Sequence, residues 1–104
     1  MYTGDIKMKR QIEIRCGNYS DALNAQNGGA SRIILSNGLY LGGLTPSIGT
    51  LLKVKENTDL EVICLVRPRT AGFYYNDDEF ETMMLDAEVL LDNGADGIAF
   101  GFLD

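Results

Sequence analysis

Two stretches of this chain, Gly29-Ala30-Ser31-Arg32-Ile33 and Gly94-Ala95-Asp96-Gly97-Ile98, repeat the pattern G-A-x-x-I at a spacing of 65 residues. Each stands between an amphipathic segment and a short apolar run, and the spacing corresponds to two strand–helix units. A chain that alternates strand and helix with short connections is confined to a parallel sheet with right-handed crossovers. Four short apolar runs supply the strands: Ile12–Cys16, Ile33–Leu35, Val62–Val66 and Ile98–Phe100. The third is almost wholly apolar, as expected of a strand covered on both faces. Two architectures share this pattern, an open doubly wound sheet and an arc of a β/α barrel.

The intervening segments carry helix signals. Asn18 is placed to cap a helix running through Ala22, Leu23 and Gln26, with Asp21 in its first turn and Asn27-Gly28-Gly29 as its stop. Thr45-Pro46 predicts the opening of a second helix, with Thr45 as the capping oxygen and Pro46 where no N–H is needed. Ile48, Leu51 and Leu52 form its apolar stripe. Asn76 with Glu79 has capping-box spacing, and Asp77, Asp78 and Glu79 suit the positive end of a helix dipole. Phe80, Met83, Met84, Ala87, Leu90 and Leu91 follow at helical spacing, the two methionines reading as core filler. Asn93-Gly94 closes this third helix.

Composition narrows the function classes. A net charge of -6 over 104 residues weighs against nucleic acid, which wants a basic stripe to neutralise phosphates. No apolar stretch approaches the ~18 residues of a membrane span. Lys7, Lys9 and Arg10 lie in a segment, residues 1–10, that reads as a flexible tail, because no apolar region of about 7–15 residues follows as a secretion signal requires. From Thr70 onward there are nine carboxylates and no Lys or Arg, a pattern usual for a solvated helix face. With Cys16 and Cys64 as the two cysteines and no histidine, a tetrahedral zinc site lacks its ligands. The thiols read as small buried hydrophobes of a cytoplasmic protein, a disulfide being the alternative.

Neither a G-x-G-x-x-G nor a G-x-x-x-x-G-K-[ST] signature is present. Gly42-Gly43-Leu44-Thr45-Pro46 is glycine-rich and runs into the expected second helix, so its backbone N–H groups are candidates for an anion cradle, against a plain loop-to-helix joint.

Taken together, Ile12-Glu13-Ile14, the run from Ala22 to Arg32 (ALNAQNGGASR), Gly42 to Ser47 (GGLTPS), Val66 to Arg69 (VRPR), Phe73 to Phe80 (FYYNDDEF) and Gly94 to Gly101 (GADGIAFG) resemble the copper homeostasis protein CutC family over residues 11–104. The resemblance implies a partial (β/α)8 TIM-type barrel, of roughly 200–250 residues when whole, to which this chain gives the first four strands and three helices. The rest of such a barrel is expected to be missing here, by truncation or a divided gene. Open sheet edges invite pairing, so the isolated chain is expected to self-associate or to await a C-terminal half.

Side chains alternate along a strand. With Arg67 and Arg69 at the barrel mouth, the same parity turns Glu13, Arg15, Arg32, Ile34 and Ser36 inward and Ile12, Ile14 and Cys16 toward the helices. The resemblance implies Cu(I) as the cargo, held by cysteines at the ends of the first two strands, since soft thiolates select Cu(I). Arg15 and Ser36 stand at those positions and Ile34 replaces a glutamate, while Cys16 matches a second cysteine of some relatives. Two readings follow. One is a non-enzymatic copper-handling protein. The other is a barrel enzyme or binding protein for a small phosphorylated or carboxylated metabolite, with Glu13 as acid/base and Arg15, Arg32, Thr45, Arg67 and Arg69 as ligand-binding residues.

Overall fold

The computed structural model describes residues 13–70 and 75–100. The expected tail, Ile12, and Phe73 and Tyr74 of the aromatic run lie outside the described residues. The first strand, β1, is Glu13–Cys16. Asn18 caps the helix that follows, α1 (Tyr19–Asn27), its side chain accepting from the Asp21 N–H at 2.7 Å. Asp21 reaches back to the Gly17 N–H at 3.0 Å, so both ends of this turn are tied. Next come β2 (Arg32–Leu35), α2 (Ile48–Asn57), β3 (Glu61–Val66), α3 (Asp77–Asp92) and β4 (Gly97–Phe100).

The repeated G-A-x-x-I pattern is a device for leaving a helix. Gly29 and Gly94 take positive φ of 96° and 107°, a region in which glycine meets no Cβ penalty. The alanine after each donates back into the helix, Ala30 to the Ala25 carbonyl and Ala95 to the Leu90 carbonyl. Both alanines are buried, and the isoleucine three residues on enters the sheet.

All pairings are parallel and the order is β1-β2-β3-β4, one arc with its helices on one face. That face holds the core. Cys16, Ile33, Leu35, Val62, Cys64 and Val66 are fully buried beneath Ala22, Leu51, Val54, Met83 and Leu90. No described helix is long and apolar enough to cross a membrane.

Helix α3 carries the full capping box, with the Asn76 side chain on the Glu79 N–H and the Glu79 side chain on the Asn76 N–H. Three expectations about the helices are corrected. Helix α2 is capped by Ser47, whose Oγ accepts from the Thr50 N–H at 3.1 Å, so Thr45 and Pro46 precede the helix. Its buried face is Leu51 and Val54, because i and i+3 share a side of a helix whereas Leu52, one residue on, points to solvent. In α3 the core residues are Met83, Ala87 and Leu90, while Phe80, Met84 and Leu91 lie on an adjoining exposed stripe.

Candidate functional site

Opposite the helices, the inner face of the arc presents side chains in rows set by the register. The lowest row, at the N-terminal ends of the strands, is Glu13, Arg32 and Glu61. Arg32 Nη1 stands 3.6 Å from Glu13 Oε2, and its Nε and Nη2 each meet Glu61 Oε1 at 3.0 Å. Above it lie Arg15, Ile34, Ile63 and Gly97. Ser36 and Leu65 stand higher, and Arg67 follows the end of β3.

The register separates residues that parity alone had grouped. Arg67 is six residues beyond Glu61 along β3, about 20 Å at ~3.3 Å per residue. Glu13 and Arg32 therefore occupy the bottom of the arc while Arg67 and Arg69 occupy the top, and the structure does not bring an acid/base Glu13 to an arginine clamp.

At the top, the segment after β2 folds into a compact loop. Asn37 and Leu44 exchange backbone hydrogen bonds at 2.8 and 2.6 Å, and a single 3-10 turn, Leu39–Leu41, crosses the tip. The N–H groups of Leu41, Gly42, Gly43, Leu44 and Thr45 all donate to backbone carbonyls of Gly38, Leu39, Gly38, Asn37 and Arg67. The expected anion cradle is thereby corrected: these donors are spent inside the fold, and the loop turns its carbonyls toward cations. Buried Arg67 donates from Nη1 to the Leu41 and Gly43 carbonyls at 3.1 and 3.0 Å and from Nη2 to the Thr70 carbonyl at 2.9 Å. Exposed Arg15 donates from Nη2 to the Gly42 carbonyl at 3.0 Å.

Thr45 laces the loop to the strand end, its Oγ1 accepting from the Arg67 N–H at 2.8 Å and its N–H donating to the Arg67 carbonyl at 3.1 Å. A Cβ on Gly42 would lie 2.9 Å from Arg67 Nη1, and one on Gly43 3.0 Å from Leu65 Cδ2, so close approach as well as positive φ demands glycine at both. The same contact covers Leu65, which is buried.

Arg69 is turned toward α3. Its Nε and Nη2 both donate to the Glu79 carboxylate, and its guanidinium lies 5.0 Å from the centre of the Tyr75 ring. The bonds from Arg69, with the Asn76 N–H behind them, hold the Glu79 carboxyl down at about 2.

Both thiols lie on the helix side, away from this mouth. Cys16, Leu35 and Cys64 are direct neighbours in register across three strands, which places the sulfurs' strands about 10 Å apart. Burial pushes the Cys16 thiol up to about 11, the charge of Asp21 adding to it, and the Cys64 thiol to about 12, with Asp96 adding. Both are therefore protonated at neutral pH, the form that ligates metals poorly. Among the described residues no three His, Cys, Asp or Glu side chains gather closely enough to hold a metal ion. Sequence reasoning missed the Ser47 cap, although a serine directly before an apolar run was there to be read, and missed the partners of Arg67, which depend on a loop distant in sequence.

A parallel arc with outer helices and a loop-built mouth defines a partial β/α barrel. A solved CutC structure from Streptococcus agalactiae superposes on it with a TM-score of 0.78 at 27% identity, covering 86% of this chain and 44% of that one. The CutC family model matches residues 10–104. A CutC family protein of Treponema denticola is 57% identical over 93 residues, 89% of this chain and 38% of the relative. The copper homeostasis protein cutC homolog of Drosophila melanogaster is 43% identical over 105 residues, and that of Homo sapiens 42% over 92, covering 38% and 34% of those relatives. The chain belongs to the CutC family, and it spans under two-fifths of the length of these relatives.

Proposed function

We propose that this chain takes part in copper homeostasis in the cytoplasm, and does so through its barrel mouth rather than as a thiolate copper store. Family membership supports the role, because curated relatives across bacteria and animals share this stretch and several are named for copper homeostasis. The form of the role rests on the thiols. Cys16 and Cys64 are buried in the helix-side core, protonated and separated by Leu35, so they lack the shared, ionised geometry that Cu(I) selects. Exposed Arg15, on the inner face beside the 38–44 loop, is instead what the mouth offers to a ligand.

Two measurements test this reading. In a competition titration with a chromophoric Cu(I) chelator, the chain should retain no tightly held equivalent, and the Cys16→Ser, Cys64→Ser double variant should behave alike. Stoichiometric Cu(I) lost in the double variant overturns the mouth reading. Deleting the gene should shift cellular copper across graded external copper; unchanged content and tolerance overturn the role itself.

A further inference from the structure

The dipeptide Asn-Gly occurs three times in this chain, at Asn27-Gly28, Asn37-Gly38 and Asn93-Gly94. It is the pair most open to loss of the asparagine amide, because glycine has no Cβ to shield its nitrogen from the preceding side chain. Reaction needs that nitrogen beside the asparagine Cγ, so the direction of the glycine N–H decides which site reacts. At two of the three sites it is turned back into a helix. The Gly28 N–H donates to the Asn24 carbonyl at 2.9 Å and the Gly94 N–H to the Leu91 carbonyl at 3.2 Å. The Asn93 side chain is also tied back, its Nδ2 donating to the Val89 carbonyl at 2.8 Å. In the mouth loop the arrangement is reversed. The Gly38 N–H donates to Oδ1 of Asn37 itself at 2.9 Å. With a C=O bond of about 1.2 Å, the nitrogen then lies within about 4 Å of Cγ. Asn27 and Asn37 are both exposed, so solvent access does not separate them; the hydrogen bond does.

We propose that Asn37 is a site of spontaneous covalent modification, converting to aspartate and isoaspartate, and that the isoaspartate form releases the mouth loop from Arg67. The Gly38 nitrogen gives its proton to hydroxide and attacks Cγ of Asn37. A C–N bond forms, the Cγ–Nδ2 bond breaks, and Nδ2 takes a proton from water and leaves as ammonia. One water molecule then opens the cyclic imide that remains. Opening at Cγ leaves an ordinary aspartate. Opening at the backbone carbonyl carbon leaves an isoaspartate, with the chain running through the former side chain. The net change is an amide and water giving a carboxylate and ammonium. The isoaspartate adds a methylene to the backbone at the point from which the loop hangs. There the Asn37 carbonyl accepts from the Leu44 N–H, and the Gly38 carbonyl from the Leu41 and Gly43 N–H groups. Displacing these bonds turns the carbonyls of Leu41 and Gly43 away from Arg67 Nη1, the contact that holds the loop to the strand end.

Trypsin cuts after Arg15, Arg32, Lys53 and Arg69, which puts the three sites on separate peptides, Cys16–Arg32, Ile33–Lys53 and the one from Thr70 onward. The folded chain is incubated in mildly alkaline buffer and conversion is followed by mass spectrometry, fragmentation assigning the residue and an isoaspartyl methyltransferase scoring the isoaspartate. Asn37 should convert at least about tenfold faster than Asn27 or Asn93, the gain expected of a held reactive geometry. In urea, where no fold distinguishes the three dipeptides, the rates should converge to within about threefold. The converted fractions separate by ion exchange, because each carries one more negative charge. The isoaspartate form should unfold at lower urea than the parent, approaching Arg67→Ala, while the aspartate form keeps its ordinary backbone and its stability. Equal rates at the three sites in the folded chain, a faster helix-end site, or the same lead for Asn37 in urea overturns the site. An isoaspartate form as stable as the parent overturns the release of the loop.

Discussion

The inner face of the arc holds an arginine near each end, and the two are built on opposite terms. Arg32 at the bottom lies between Glu13 and Glu61 in one row of the sheet, half-exposed, with carboxylates as partners. Arg67 at the top is buried and spends its guanidinium on the carbonyls of Leu41, Gly43 and Thr70. Water can replace the partners of Arg32 almost without loss, and exposed pairs of this kind contribute about 0–1 kcal/mol. It cannot as readily replace those of Arg67, where each stranded buried acceptor costs about 1–3 kcal/mol. The lesson is that the same residue type is an accessory at one end of a barrel and a structural member at the other.

Arg67→Ala is the strongest attack on that contrast. It should destabilise the chain by about 3 kcal/mol, and urea titration followed by circular dichroism measures it. A loss comparable to that of Arg32→Ala would erase the distinction. Next come Gly42→Ala and Gly43→Ala, which force a Cβ into a left-handed backbone at about 1–2 kcal/mol, and into Arg67 and Leu65 besides. They should lower the melting temperature, and in an Arg67→Ala background Gly42→Ala should lose the part of its effect that comes from the Arg67 contact, whereas Gly43→Ala, which meets Leu65, should keep its own. Weakest is Glu13→Gln, expected to change stability by less than about 0.5 kcal/mol; a larger loss would make the bottom row a structural member too.

One ion pair at the top breaks the symmetry of this account and gives it a pH handle. The folded Glu79 carboxyl titrates at about 2, below its ordinary 4.5, because Arg69 and the Asn76 N–H favour its charged form. Its contribution is whole above pH 4.5 and is lost as pH falls toward 2. Acid titration of stability should therefore be shallower in Glu79→Gln than in the parent between those values, and an unchanged slope would remove Glu79 from the acid response.

Much of the architecture was legible because its determinants are local. Strand parity followed from alternation, and it placed Glu13 and Arg15 inward and Cys16 toward the helices, where the structure has them. The caps at Asn18 and Asn76 were legible because side chain and N–H are three residues apart. Height along the strand was not, since the pairing of Glu13 with Arg32 and of Arg32 with Glu61 is a property of register, which three separated segments do not announce. Thr45 was misread because a threonine before proline carries the same capping signal as the serine after it; its oxygen was claimed instead by the N–H of Arg67, 22 residues away. The mouth was illegible for a related reason, as the left-handed glycines Gly38, Gly42 and Gly43 decide which way the loop's carbonyls and N–H groups turn.

Fully buried Cys16 and Cys64 have a use beyond packing. Sealed under different helices of the arc, they act as clocks. A thiol reagent can reach them only while the sheet parts from its helices, so labelling rates count the openings of this fold one event at a time. Cys16 reports the strand at the edge and Cys64 a strand inside the sheet, and the ratio of their rates would tell whether the arc unravels from its rim or comes apart all at once.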